Sequence, residues 1–388
     1  MPALASGWIP CPLSLRIASA SGSHLLSTPI QSSVASTPSR RAPLPTAPLW
    51  AVLALTFVGS VGTGVLWSGV YFVAEQDHGF TSVHSFLLAI ATAIAYVGGA
   101  FLAGPATRWV ERGPLRLTPR GFLIWILIAQ TLASAVVLWS AALLPMLVAV
   151  VAISVVAALF WPVVESYLAG GRRGRGLRVA LGWWNLSWTI AVAVALIAMA
   201  PLLHFGAARL AIGAMAPLSL LCIAFVYALP PRPAPHDADH TTAFDDETTP
   251  EYPRLLSCAR LLLPTSYVLI GALSPLMPFL LVRLDVPLIW ATPMAALWMV
   301  TRVIALAFLS HTNFWHGRWG TLLLGGVLLY AGFVFAALAI SVPMLALGLA
   351  LFGVGHAIVY SSAIYYAMTV GAAEVDAGGT HEGLIGLG

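Results

Sequence analysis

Residues 144–170 read "LPMLVAVVAISVVAALFWPVVESYLAG", and Glu165 is the one ionisable acid or base among them. A helix crosses the hydrocarbon core of a bilayer with about 20 apolar residues, so a run of this kind constrains the fold more than any other feature. Further runs fall near 49–74, 85–105, 121–142, 179–200, 206–229, 256–283, 287–310, 320–341 and 343–370, about ten in all. Their continuous apolarity, without period-2 alternation, predicts helices rather than a barrel. The composition agrees, with 60% hydrophobic and 8% charged residues and a mean hydropathy of +0.91. A water-soluble protein of this size cannot bury so much apolar surface, so the solvent is lipid. The expected fold class is an all-α polytopic membrane protein.

The charged residues organise the runs. Residues 1–48 form a basic Ser/Pro-rich tail, with Arg16, Arg40 and Arg41 and no acid before Glu75, which reads as disordered. Arg108, Arg112, Arg116 and Arg120 lie between the second and third runs, and Arg172, Arg173, Arg175 and Arg178 between the fourth and fifth. The opposite side carries little beyond Arg209 and Arg283. By the positive-inside rule the Arg-rich links and the N-terminus are cytoplasmic, in a multi-pass protein of the cell (inner) membrane. Residues 230–255 are proline-rich and acidic, an expected cytoplasmic linker between six spans (49–229) and four more (256–370). Residues 371–388 are a cytoplasmic link ending in the short apolar "LIGLG".

Several function classes drop out. All 18 basic residues are arginine, so no lysine serves a phosphate loop or a Schiff base. Cys11, Cys222 and Cys258 have no metal or disulfide spacing. "THEGLI" begins like a zinc-binding HExxH, but Ile385 stands where the second histidine belongs. His311 and His316 have no third ligand nearby, and the Asn185-Leu186-Ser187 sequon lies in a span. No cofactor and no nucleic-acid partner is expected, and a membrane enzyme finds no pair of catalytic groups joined by a motif.

"FWPVVESYLAGGRRGRGLRVALGWWNLSW" resembles the fourth-to-fifth span region of bacterial members of the major facilitator superfamily of secondary transporters. "GGTHEGLIGLG" resembles the cytoplasmic entry to their eleventh span, and "FWPVVESYLAGG" is echoed by "IVYSSAIYYAMT" in the second half. The resemblance implies a two-bundle architecture, here 6 + 4. Two departures stand out. The family's signature after its second span, Gly-x-x-x-Asp-Arg-x-Gly-Arg-Arg, is here "AGPATRWVERGPLR", with Glu111 and Arg112 in place of the Asp-Arg pair. The sequence also stops at Gly388, where an eleventh helix would begin. This reads as an interrupted chain rather than a natural ten-helix protein.

The site residues follow from what a span does not tolerate. Glu165 is costly in lipid, and its place near a helix C-terminus sets it against the helix dipole. It is a candidate for proton coupling or gating, with Arg178 as its neutralising partner. Arg302, with Trp298 one turn away, presents a cation and an aromatic on one face, to bind an anion or pair with Glu165. Trp67 and Tyr71, His356 and Tyr360, and Asn185 with Trp188 are further substrate-binding candidates. The resemblance, which implies that the first, fourth, seventh and tenth spans line the cavity, adds weight to the faces on spans one and ten. In span seven, "GALSPLMPFLL" places Pro275 and Pro278 in mid-span and predicts a kinked or broken helix. The expected function is secondary active transport of a small molecule by a monomer, proton-coupled through Glu165 with His356 as a second titratable group. The alternative is a truncated relic, sensor or interaction protein that does not transport.

Overall fold

The computed structural model describes residues 45–114, 116–172, 174–235, 251–312, 314–370 and 385, excluding the side chains of 174, 175, 178 and 367–370. The tail up to residue 44, most of the acidic linker and the histidine of "THEGLI" therefore lie outside the described residues.

Among the described residues, nine helices are long and apolar enough to cross a membrane. They are Leu49–His78, Ser82–Arg112, Pro119–Trp139, Leu143–Ala169, Val179–His204, Tyr252–Arg283, Leu288–Ser310, Trp319–Ala337 and Val342–Tyr366. The sixth run is a shorter apolar pair, Leu210–Gly213 and Met215–Val226. Counted in order with that pair, these are spans one to ten. The sixth was expected to be a single helix. The break at Ala214 lies one turn before Pro217, which offers no N–H to the carbonyl of Gly213.

Of the two outcomes expected for span seven, a kink or a break, the break does not occur, since Tyr252–Arg283 is one helix through Pro264, Pro275 and Pro278. Proline's own φ is helical, and with Pro275 and Pro278 buried, neighbouring spans hold the trace. The interruption falls instead in span one, where Val65–Gly69 winds as a π-turn. There span one lies directly on span five, because a Cβ on Gly64 would meet the Val192 backbone. Gly79, at φ 61°, then closes the span in the left-handed conformation.

Small residues set the closest packing. Gly332 faces the backbone of Phe352, and Gly355 that of Leu329, so spans nine and ten meet backbone to backbone. Spans eight and ten also pack together, while spans two and four do so in the first half. The two sets meet chiefly where span five packs on span eight, and to a lesser extent where span two meets span seven.

On the Arg-rich side, side chains finish the helix ends. Arg172 donates to the carbonyls of Tyr167 (3.0 Å), Leu168 (2.6 Å) and Ala47, neutralising the C-terminus of span four. Arg120 donates to the Leu229 carbonyl (3.1 Å), the Tyr167 hydroxyl to that of Pro231 (3.2 Å), and Glu111 pairs with Arg232 (3.4 Å). The start of the linker is thereby anchored to spans two, three and four.

Candidate functional site in the central cavity

A cavity of about 60 Å³ sits between the first six spans and the last four. Half of its lining residues are aromatic: Trp67, Tyr96, Trp161, Trp184 and Trp188 from the first set, Tyr267, Trp298 and Tyr360 from the second. The π-turn of span one places Trp67 at the centre, edge-on to Tyr96 (centroids 5.2 Å apart) and to Tyr267 (6.3 Å). Ser60, Thr63 and Ser68 add hydroxyls from span one.

Arg302 is the charged residue in this wall, and it is fully buried. Its Cζ lies 4.1 Å from the centroid of Trp188 and 4.6 Å from that of Tyr360. Trp188 belongs to span five and Tyr360 to span ten, so the cation joins the two sets of spans. Desolvated cation–π contacts contribute about 2 kcal/mol. The hydroxyls of Tyr267 and Tyr360 are near enough to act on the charge. Even so, none of the three guanidinium nitrogens meets full hydrogen-bond geometry with a described residue, although the Tyr267 hydroxyl lies within reach of the group. A buried cation whose donors are not all used is costly.

His356 stands one turn from Tyr360, stacked on it at 6.0 Å and 19°, with Tyr267 and Trp298 edge-on. Both of its ring nitrogens are without hydrogen-bond partners among the described residues.

The spaces along the axis differ. On the Arg-rich side a cleft of about 610 Å³ opens between spans five, eight and ten, lined by Asn185, Leu306, His311, His316, Ser361 and Ile364, among others. Beyond the central cavity, on the other side, remains about 10 Å³ between Ser68, Phe72, Ser274, Met277 and Phe352. There the hydroxyls of Ser68 and Ser274 meet at 3.5 Å, bringing spans one and seven together. Trp188, Arg302 and Tyr360 each stand one turn inward from a residue of the cleft: Asn185, Leu306 and Ile364. Their stack separates cleft from cavity.

The structure brings together Trp67, Trp188, Trp298, Arg302 and Tyr360 of the residues expected from sequence, with His356 packed behind Tyr360. Tyr71 is buried instead beside Thr92, away from the cavity wall. Asn185 accepts from the indole of Trp188 (3.3 Å) and faces the cleft. Glu165 is half-buried near the end of span four. Arg178 lies in the helix Gly174–His204, its side chain outside the described set. Glu111 pairs with Arg232 rather than with the exposed Arg112. Sequence reasoning missed Tyr96, Trp161 and Tyr267, while noting Trp184 beside Asn185 and Trp188 in span five. Apolar spans show no amphipathic contrast to tell inward from lipid-facing aromatics, and Tyr267, in mid-span, was the most legible of the three. Among the described residues no three His, Cys, Asp or Glu side chains are grouped to hold a metal ion.

Helices of membrane-crossing length that enclose a cavity walled by both sets of spans describe a polytopic membrane protein. The family model of the Major Facilitator Superfamily matches residues 52–377, and the chain belongs to that superfamily. A variant of the nucleoside transporter NupG superposes with a TM-score of 0.61 at 14% identity, covering 87% of each chain. A bacterial homolog of the human lysosomal transporter Spinster, inward-facing and unoccupied, gives 0.60 at 16%, covering 88% of this chain and 81% of that one. The human organic anion transporter MFSD10 gives 0.60 at 15%, covering 87% and 89%. At such identities these likenesses speak for the fold. No curated protein matches the sequence.

Proposed function

We propose that this chain is a secondary transporter that carries a small molecule through the central cavity by alternating access, as a monomer, with the Arg-rich side and the N-terminus in the cytoplasm. The observation that carries the reading is the Trp188–Arg302–Tyr360 stack, a contact between the two sets of spans in the wall of the cavity. The spaces on either side support a conformation open toward the Arg-rich face: about 610 Å³ there against about 10 Å³ beyond the cavity. Parting Ser68 from Ser274 while spans five and eight close would expose the cavity to the other side. Proton coupling is assigned to Glu165, whose place in span four lets its protonation bias that closure.

Access is testable without knowing the substrate. Cys11, Cys222 and Cys258 are replaced by serine, and Ser60→Cys is introduced into the cavity wall. The protein, in oriented vesicles, is treated with a membrane-impermeant thiosulfonate applied to one face at a time. Labelling from both faces is expected. Labelling from one face alone rejects alternating access and leaves a non-transporting membrane protein.

A further inference from the structure

An aromatic box in a membrane protein ordinarily suits a cationic ligand, because the ring faces are electron-rich. In this cavity Arg302 already occupies the position over Trp188 and Tyr360. A second cation would meet like charge in a site with little water to screen it. The box therefore selects against the ligands that its walls alone would suggest.

The unused capacity lies in the guanidinium. Its N–H donors point outward in the plane of the group, a fork that matches the two oxygens of a carboxylate. Of its five N–H donors the Tyr267 hydroxyl is placed to take at most one, and no nitrogen meets full hydrogen-bond geometry within the described protein, so the fork keeps donors to offer. Among the described residues the remaining polar groups on the wall are hydroxyls and indole N–H groups, and no second arginine or histidine lines it. One negative charge is thus matched and a second is not. What surrounds the charge is indole and phenol, which favours a flat apolar body.

Size adds a condition. About 60 Å³ is well below the ~150 Å³ of a cavity that admits benzene. A ring-bearing ligand must part the walls, and the stack facing the cleft is where they divide between span five and spans eight and ten.

We propose that the central cavity binds a small planar organic monoanion, in the simplest case an aryl carboxylate. Its carboxylate sits on the Arg302 fork, its ring lies among the indoles, and entry draws Arg302 away from Trp188. The proposal deepens the transport reading of the same site, but binding itself does not require that reading.

The test is calorimetric titration of the purified full-length chain in detergent with benzoate, benzyl alcohol and benzylamine, three probes of similar shape and different charge. Benzoate is expected to bind saturably, with the other two at least about tenfold weaker. Arg302→Lys keeps the charge without the fork and should lose about tenfold, whereas Arg302→Met should abolish binding. Benzylamine binding as well as benzoate would overturn the proposal on the wild-type chain, whatever the variants do. So would an Arg302→Met protein, monodisperse on gel filtration, that binds benzoate within about twofold of wild type. If benzoate fails to bind while Ser60→Cys labels from both faces, the ligand class falls and transport stands. If benzoate binds and labelling is one-sided, the ligand class stands and transport falls.

Discussion

Arg172 and Arg302 are the same residue put to opposite uses. Arg172, at the rim, donates to three carbonyls at the end of span four and the start of span one. Arg302, at the centre, is fully buried, with the Tyr267 hydroxyl within reach but no nitrogen in full hydrogen-bond geometry with a described residue. The first ties the fold together. The second adds desolvation cost where packing alone would place a leucine or methionine. The difference teaches that burial and charge by themselves do not define a site. What marks Arg302 is a charge whose donors remain available in a cavity.

Perturbing each region in turn sharpens the contrast. The largest effect is expected on function at Arg302: Arg302→Gln should reduce substrate flux in proteoliposomes by about a hundredfold or more, because it removes a charge-assisted pair from a dry site. Next, Arg172→Met should cost about 2 kcal/mol or more of stability, the scale of hydrogen bonds made by a charged donor, with ligand affinity retained in the folded fraction. That loss would appear as a lower thermal midpoint in detergent. Trp188→Leu removes one face of the stack and should weaken the tie between span five and span eight by about 1–2 kcal/mol, read as faster Ser60→Cys labelling from the Arg-rich face. Glu165→Gln should leave binding unchanged and remove the dependence of flux on a proton gradient, checked by uptake with and without one. The smallest effect belongs to Glu111→Gln. Its partner Arg232 is exposed, so stability should change by less than about 1 kcal/mol and flux by less than about threefold.

The spans were legible because lipid demands about 20 apolar residues in a row, a signal independent of tertiary contacts. The break at Ala214 was less so, since Pro217 is as apolar as its neighbours and only its missing N–H matters. The prolines of span seven left a kink and a break both open, and packing, invisible in the sequence, keeps that helix continuous. At the site, Arg302 stood out because a charge in a span is rare, and Trp188 and Tyr360 followed from aromatic spacing. Their meeting did not, because spans five, eight and ten are joined by packing and not by any local motif. Asn185 and Tyr71 show the limit from the other side. Each shares a span with a cavity residue, at a spacing that a small rotation turns toward the cleft or the core.

The measurement that bears most directly on this account is the thermal midpoint of two purified variants, Arg302→Met and Arg172→Met, beside the wild-type chain in the same detergent. The account predicts opposite signs: Arg172→Met melts several degrees lower, and Arg302→Met melts at or above the wild-type midpoint while losing benzoate binding. If Arg302→Met melts as far below wild type as Arg172→Met does, Arg302 is a structural tie like the arginine at the rim, and the central cavity is not held ready for an anion.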